Sequence, residues 1–449
     1  MNIPSFSFFS LLVASVAAAA LGFPAAQMVQ TGARTQSSGS ARCLVTAMKG
    51  NDVGARINAC DAQLGSNQGE IVLGGGGTIS TQVVISSNHK LRVNGGIYKA
   101  TANGPVIRLK DNSALVCDSF DAVLEESTGK NGEVGVKPFT IVAAYAGSSR
   151  DALNGTLARG LSIKGCHFRG ARSDFDSASQ TIALLNCHDC SVTNNWLEST
   201  RTIGIQTGGG SRLGNYADNV IIAKNLLTNV ASQNIAVVNS SNVQVTDNTM
   251  RAPGMANGPG VVPIDIEPNV GDRIVNVKIA NNLVDMTNTA IDAGGAKGLH
   301  GIAINNLNQA NPFTGVEVSN NTIYGADLKD PNNHVSGGLI LVRGATNTLI
   351  ANNTLRRGTY CILIDSGSSR ITVSGNQLSS CGSGSSQSVK IVDSSNNQFV
   401  NNKLWGDPAN LFDLSQIGKL MVEMGASDNN TFRGNDAIVG LSGRGSRKQ

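Results

Sequence analysis

At 449 residues, a formal net charge of +4 and only 15% charged residues exclude a disordered polyelectrolyte. No basic cluster is interleaved with aromatics, which argues against nucleic acid as a partner. Aromatics at 4% and 52 glycines point away from a helical core and toward a turn-rich β protein.

Residues 1–26 open with an apolar run from Phe6 to Phe23 that becomes rich in small residues, the pattern of an export signal cleaved near Ala20 or Ala26. Its first residues carry no Lys or Arg, so an N-terminal membrane anchor is the competing reading. No later stretch could span a bilayer, and removal of the signal would leave no stable membrane insertion. Residues 27–42 are polar and Ser-rich, as a disordered linker is. From Cys43 to Leu64 the pattern turns helical, with Val53, Ile57 and Leu64 on one stripe. From Glu70 to Cys117 short apolar strands alternate with Gly and Asn turns, and residues 118–157 are the least repetitive part. A single domain over 43–439 and a frayed polar tail over 440–449 complete the expected organisation.

The part from residue 158 onward is organised by repetition. DNVIIAKNLL (Asp218–Leu227) and SNVQVTDNTM (Ser241–Met250) share a frame of apolar, any, apolar, two small or polar residues, Asn, any, apolar. The frame occurs ten times, with Cys166, Asn195, Asn225, Asn248, Asn282, Asn321, Asn353, Asn376, Asn402 and Asn435 at its turn position. Apolar residues two apart share one face of a strand, and Asn tolerates the left-handed backbone of a tight turn. A second alternating strand follows each frame, such as QTIALLN (Gln180–Asn186) or IDIEP (Ile264–Pro268). Repeats of strands and polar turns, spaced 23 to 39 residues apart, predict an all-β solenoid, a right-handed parallel β-helix. Its turn asparagines would stack into an amide ladder. The helix near the N-terminus would cap the first coil, whose edge is otherwise unpaired.

These frames resemble the pectate-lyase-like superfamily of parallel β-helix proteins. The stretch RINACDAQLGSNQGEIVLGGGGTISTQVVI (Arg56–Ile85) is similar to the opening of many polysaccharide-active members. The resemblance spans about Cys43 to Val439 and implies the fold; the same fold hosts many chemistries. The NTD, DD, GHG and RIK strings of polygalacturonase-like hydrolases are absent, as is the DPH motif of alginate epimerases. No acidic cluster of the pectate-lyase calcium type stands out either. No cofactor is expected, calcium being the one addition the resemblance leaves open.

Eight cysteines behind an export signal suit an oxidising compartment. Cys43 and Cys60 flank the capping helix, and Cys361 and Cys381 fall near one edge of successive coils. Cys166, Cys187 and Cys190 lie in adjacent coils, with Cys117 as a fourth partner. The CxxC at 187–190 lacks a second CxxC at metal spacing, so buried cysteine or disulfide is preferred over zinc or redox work.

Chemistry should come from side chains that break the repeat. Aligning Ile235 and Val237 with Ile264 and Ile266 turns Asp265 and Glu267 outward, where the preceding coil has Ala236 and Val238. One outward column is expected to run through Gln206, Glu267, Asn305, Arg343 and Asp365, with Lys390 in the neighbouring column, a substrate groove in which Arg343, Asp365 and Asn305 would hold sugar hydroxyls or carboxylates. Carboxylates two apart on a strand are about 6.5–7 Å apart at the backbone, within the roughly 6.5–9.5 Å of an inverting glycosidase. Hydrolysis would use Glu267 and Asp265 as acid and base. The alternatives are solvated surface carboxylates, a Glu267 bonded to the turn at Pro268–Asn269, or a cation site. His300 and Asp292 are placed to orient a carboxylate or hold substrate, with His334 a weaker choice. Tyr216 and Tyr360 are candidates to stack on sugar rings. The expected partner is a polysaccharide. β-Elimination of a uronate polymer, with Arg343 or Lys390 as the neutralising cation, and a non-catalytic adhesin are the rival functions. The oligomeric state stays open.

Overall fold

The computed structural model describes residues 41–102, 105–126, 142–144, 157–170, 180–200, 203–208, 216–253, 261–289, 299–308, 310–325, 337–381, 387–405 and 420–449. The signal and most of the linker lie outside them.

An inner coil contributes one strand to each of three sheets. The coil beginning at Ala217 runs through Ala217–Ala223 in the first sheet, Leu226–Thr228 in the second and Ile235–Val237 in the third. The chain then re-enters the first sheet at Ser240–Thr246. Among the described residues the three sheets hold 16, 12 and 13 strands, and the strand pairs are parallel from coil to coil.

The frame explains the stacking. Ile222, Val245, Ile279, Val318, Ile350, Val373, Phe399 and Phe432 stand in register in the first sheet, each at most 1% exposed. The second sheet repeats this with Phe168, Leu197, Leu227, Met250, Val284, Ile323, Leu355, Leu378 and Leu404. Each such side chain contributes about 1.5–3 kcal/mol by leaving water. A slip of one residue would turn a whole column outward, so the register is strongly held.

The asparagines stack as the repeat implies. From Asn195 to Asn435, each Nδ2 donates to Oδ1 of the next ladder residue at 2.9–3.1 Å. Each Oδ1 also accepts the backbone N–H of the residue below; Asn282 Oδ1, for example, takes Asn248 N at 3.0 Å. The second Nδ2 hydrogen reaches a strand carbonyl of the coil below, as from Asn282 to Val245 at 2.8 Å. The ladder starts where Asn195 Oδ1 accepts the N–H of Cys166.

One expectation is corrected. The left-handed residue is the one before the ladder position: Asn194, Lys224, Asp247, Asn281, Asn320, Asn352 and Asn401, with glycines at 165, 375 and 434. The turn needs its positive φ there, so that the next side chain can point along the stack instead of bonding its own backbone.

The ends also differ from expectation. Among the described residues the α-helix spans only Val53–Leu64, after a short 3-10 turn at Val45–Ala47, with Val53, Ile57, Cys60 and Leu64 buried against the first coil. Residues Ala41–Leu44 form a strand paired with Gly69–Val72, so the solenoid starts inside the stretch expected to be linker. Gly54 is required where the helix meets the coil, because a Cβ there would lie 2.1 Å from the Thr81 carbonyl oxygen. Asp52 caps the helix, accepting from the N–H groups of Gly54 and Ala55 and tying it to Ser80 N at 2.9 Å.

The tail expected to fray instead closes the last coil, Arg447–Lys448 pairing with Thr431 and Phe432. Glu423, buried inside that coil, accepts from Asn430 Nδ2 and from the N–H groups of Ser442 and Gly443. A carboxylate can sit there because the returning turn supplies its donors.

All eight cysteines are paired, as Cys43–Cys60, Cys117–Cys166, Cys187–Cys190 and Cys361–Cys381. The CxxC is therefore a disulfide. Among the described residues no helix is long and apolar enough to cross a membrane.

Candidate active site

The third sheet brings the predicted residues together in two outward columns. In one, Gln206, Ala236, Asp265, Ala303, Leu341, Leu363 and Lys390 are in register. In the other, Asn305, Arg343 and Asp365 are in register, and Glu267 follows Ile266, which pairs with Ile304. Gln206 thus belongs to the Asp265 and Lys390 column, not to the Glu267 column. The pairing of Ile205 with Ile235 settles this.

Asp265 and Glu267 flank Ile266, whose side chain is fully buried in the coil. Outward does not mean exposed: Asp265 is 6% exposed, whereas Glu267 is exposed. Its neighbours in register, Ala236 and Ala303, are buried methyl groups that offer no polar partner. What reaches it is Gln233, from the turn that precedes the third-sheet strand of the coil below. Gln233 Nε2 donates to Asp265 Oδ2 at 2.5 Å and to Glu267 Oε2 at 3.1 Å.

Two carboxyl oxygens thus share one nitrogen as donor, both within 3.1 Å of it. They lie closer together than the spacing of about 6.5–9.5 Å expected of an inverting pair. Backbone positions set the Cα separation, but the side chains converge on Gln233. Burial and the nearby charge of Glu267 push the Asp265 carboxyl up to about 7, against the opposing hydrogen bond from Gln233. At neutral pH the pair can therefore hold one proton beside one negative charge.

Two and three coils further on, Arg343 grips Asp365 with two prongs, Nε–Oδ1 and Nη2–Oδ2, both 3.0 Å. His300 donates from Nδ1 to the carbonyl of Gly338 at 3.0 Å, since a carbonyl can only accept. Burial first, and then the Arg343 charge, lower its pKa, the carbonyl contact and Asp365 opposing them. The ring is thus neutral, with Nε2 left as an acceptor. Asn305 accepts the N–H of Leu307, and Gln206 Oε1 accepts from Gln180 at 2.7 Å. Lys390 lies over the Tyr360 ring and 3.4 Å from its hydroxyl.

Tyr216 is elsewhere. It precedes the first-sheet strand Ala217–Ala223, and its ring face takes the Arg273 guanidinium at 4.3 Å, with His188 beside it. That occupied face argues against sugar stacking. Asp292 and His334 lie outside the described residues. Among the described residues no group of three His, Cys, Asp or Glu is arranged to hold a metal ion.

Gln233 was not legible from the repeat. It sits in a turn, where the frame places no constraint, and only the stacking of one coil on the next brings it over the acid pair.

A sequence model of the right-handed β-helix region matches residues 269–437. Solved structures of that architecture superpose on most of the chain. The chain is a right-handed parallel β-helix protein. The catalytic domain of Agl-KA aligns with 92% of this β-helix chain and 69% of its own, at TM-score 0.56 and 12% identity. The A-module of a mannuronan C-5 epimerase from Azotobacter vinelandii aligns with 90% of the chain and 99% of its own, at TM-score 0.48 and 13% identity. A DFA-IIIase from Arthrobacter chlorophenolicus gives 90%, 98%, 0.48 and 13% for the same quantities. At 12% identity the likeness to the Agl-KA domain is one of fold. No curated protein matches the β-helix chain by sequence.

Proposed function

We propose that this β-helix protein is an exported glycoside hydrolase that cleaves a polysaccharide, with Asp265 as general acid and Glu267 as its charged partner. The observation that carries the reading is the pair itself. A buried carboxyl held at about 7 stands beside an exposed carboxylate, under one amide. Protonation of the glycosidic oxygen by Asp265 would release the leaving sugar as an alcohol, while Glu267 meets the developing positive charge at the anomeric carbon. The short separation is compatible with the roughly 5–5.5 Å of a retaining pair, in which Glu267 would act as nucleophile to form a glycosyl ester that water then cleaves, its proton returning to Asp265.

The polar column above Glu267, formed by Asn305, Arg343 and Asp365, suits an extended chain of repeating hydroxyls, because equivalent positions recur about every 4.8 Å along the solenoid. The rival elimination chemistry needs a free cation to neutralise a uronate carboxylate. Arg343 is already compensated by Asp365, so elimination would fall to Lys390, which lies over the Tyr360 ring. Non-catalytic binding remains the reading if no bond is broken.

A panel of neutral and acidic polysaccharides, read for new reducing ends and for absorbance of unsaturated products, tests the proposal. Reducing ends without unsaturation support hydrolysis; unsaturated products support elimination; binding without products supports an adhesin. Export rests on the apolar N-terminus together with four disulfides. Mass spectrometry of protein from its native host would find the mature chain starting after residue 20 with no free thiol, and an intact Met1 would overturn export.

A further inference from the structure

Beyond naming the acid pair, and resting on that reading, we propose that Gln233 is a positioning residue that keeps Asp265 and Glu267 singly protonated and facing one another. The geometry leaves it no ordinary structural task. Its carboxamide nitrogen spends both hydrogens on carboxyl oxygens, Asp265 Oδ2 at 2.5 Å and Glu267 Oε2 at 3.1 Å. Its backbone, by contrast, is held independently, the carbonyl accepting Gly204 N at 2.9 Å. The side chain therefore does not secure the turn; the turn presents the side chain.

An amide N–H donates only, so each contact stabilises negative charge on the oxygen it meets. Two carboxyls pressed together, one of them buried, would otherwise tend to take up two protons as pH falls, leaving no charged partner. Between the buried alanines 236 and 303, the one titratable group that faces Asp265 among the described residues is Glu267. Among the described residues no positive side chain pairs with either acid, and the neutral donor Gln233 is what offsets the repulsion. Because the nitrogen touches both acids, it also fixes which oxygens face each other.

The test is an infrared difference titration of the whole protein, following the carbonyl band of a protonated carboxyl and assigning it by its loss in Asp265→Asn. Gln233→Met keeps the length of the side chain and removes both donors. The midpoint at which the band disappears should rise by about one pH unit, the scale of one hydrogen bond to a charged group. If a polysaccharide is cleaved, the basic limb of the pH–rate profile should move upward by the same amount. A Met variant that is less heat-stable yet titrates like the parent would overturn the proposal, since only a structural role would then remain. Should Gln233→Met fail to fold, Gln233→Asn, a carboxamide too short to reach both acids, is expected to show the upward shift, and an unmoved midpoint would again overturn it. The infrared readout needs no substrate. Failure to cleave any polysaccharide would thus count against the hydrolase reading, while the titration judges Gln233 by itself.

Discussion

The Asn ladder and the Asp265–Glu267 pair, in which Asp265 is buried and Glu267 exposed, are both polar clusters in one solenoid, and they behave in opposite ways. In the ladder, each carboxamide offers donors and acceptors in equal measure, so every coil completes the one below and leaves a matching group for the one above. The carboxyl pair is acceptor-only when charged, and its single neutral donor, Gln233, is shared. Burial therefore rigidifies the first cluster and perturbs the second. The difference teaches that polarity inside a β-helix is cheap when self-complementary and chemically informative when it is not.

The sharpest way to break this contrast is at the pair. Glu267→Gln should retain the fold, because Glu267 is exposed, and lower the cleavage rate at least about 10²-fold. A variant with full rate would move the chemistry elsewhere. Next in size is the ladder. Asn282→Leu strands the backbone N–H of Asn248 and one of its amide hydrogens, and should cost about 2–4 kcal/mol in denaturant unfolding. Asn435→Leu, at the half-buried upper end of the stack, should cost less, and equal costs would show that the ladder is not what stabilises the coils.

The pair should also leave a mark on stability against pH. The folded Asp265 carboxyl, at about 7, lies above its ordinary value of 3.8, so the native state binds the proton more tightly. Its contribution is fully present below about pH 4 and is lost as pH rises to about 7. Unfolding measured across that window should show the decline in the parent and a flatter profile in Asp265→Asn. The smallest effect is expected at the N-terminal cap. Asp52, where burial raises the pKa but hydrogen bonds from Thr81, Ser80 and Ala55 bring it down to about 2, stabilises the helix above its ordinary pKa and loses that role as pH falls toward 2. Asp52→Ala should cost about 1 kcal/mol at neutral pH, seen as a lowered melting temperature.

Much of this was already written in residue spacing. Ile222 and Val245, Leu227 and Met250, Asn225 and Asn248 are found where their repeat places them, because a parallel stack demands the same residue type at the same height in every coil. Asp265 and Glu267 on either side of Ile266 followed from alternation alone. The cysteine pairs 43–60 and 361–381 followed from their places relative to the helix and to successive coils.

Tertiary structure decided what depends on contacts between unlike positions. The column of Gln206 was set by the pairing of Ile205 with Ile235, which turns of unequal length hide from a linear alignment. The return of Arg447–Lys448 to the first sheet required an open strand edge to receive it, a property of the last coil and not of the tail. The burial of Asp265, the convergence of the two acids and the reach of Gln233 all arise where a turn of one coil meets the strand of the next. A repeat encodes the distances between like residues in its own columns. The environment that perturbs a carboxyl is made by residues the repeat leaves free, and only stacking brings those together.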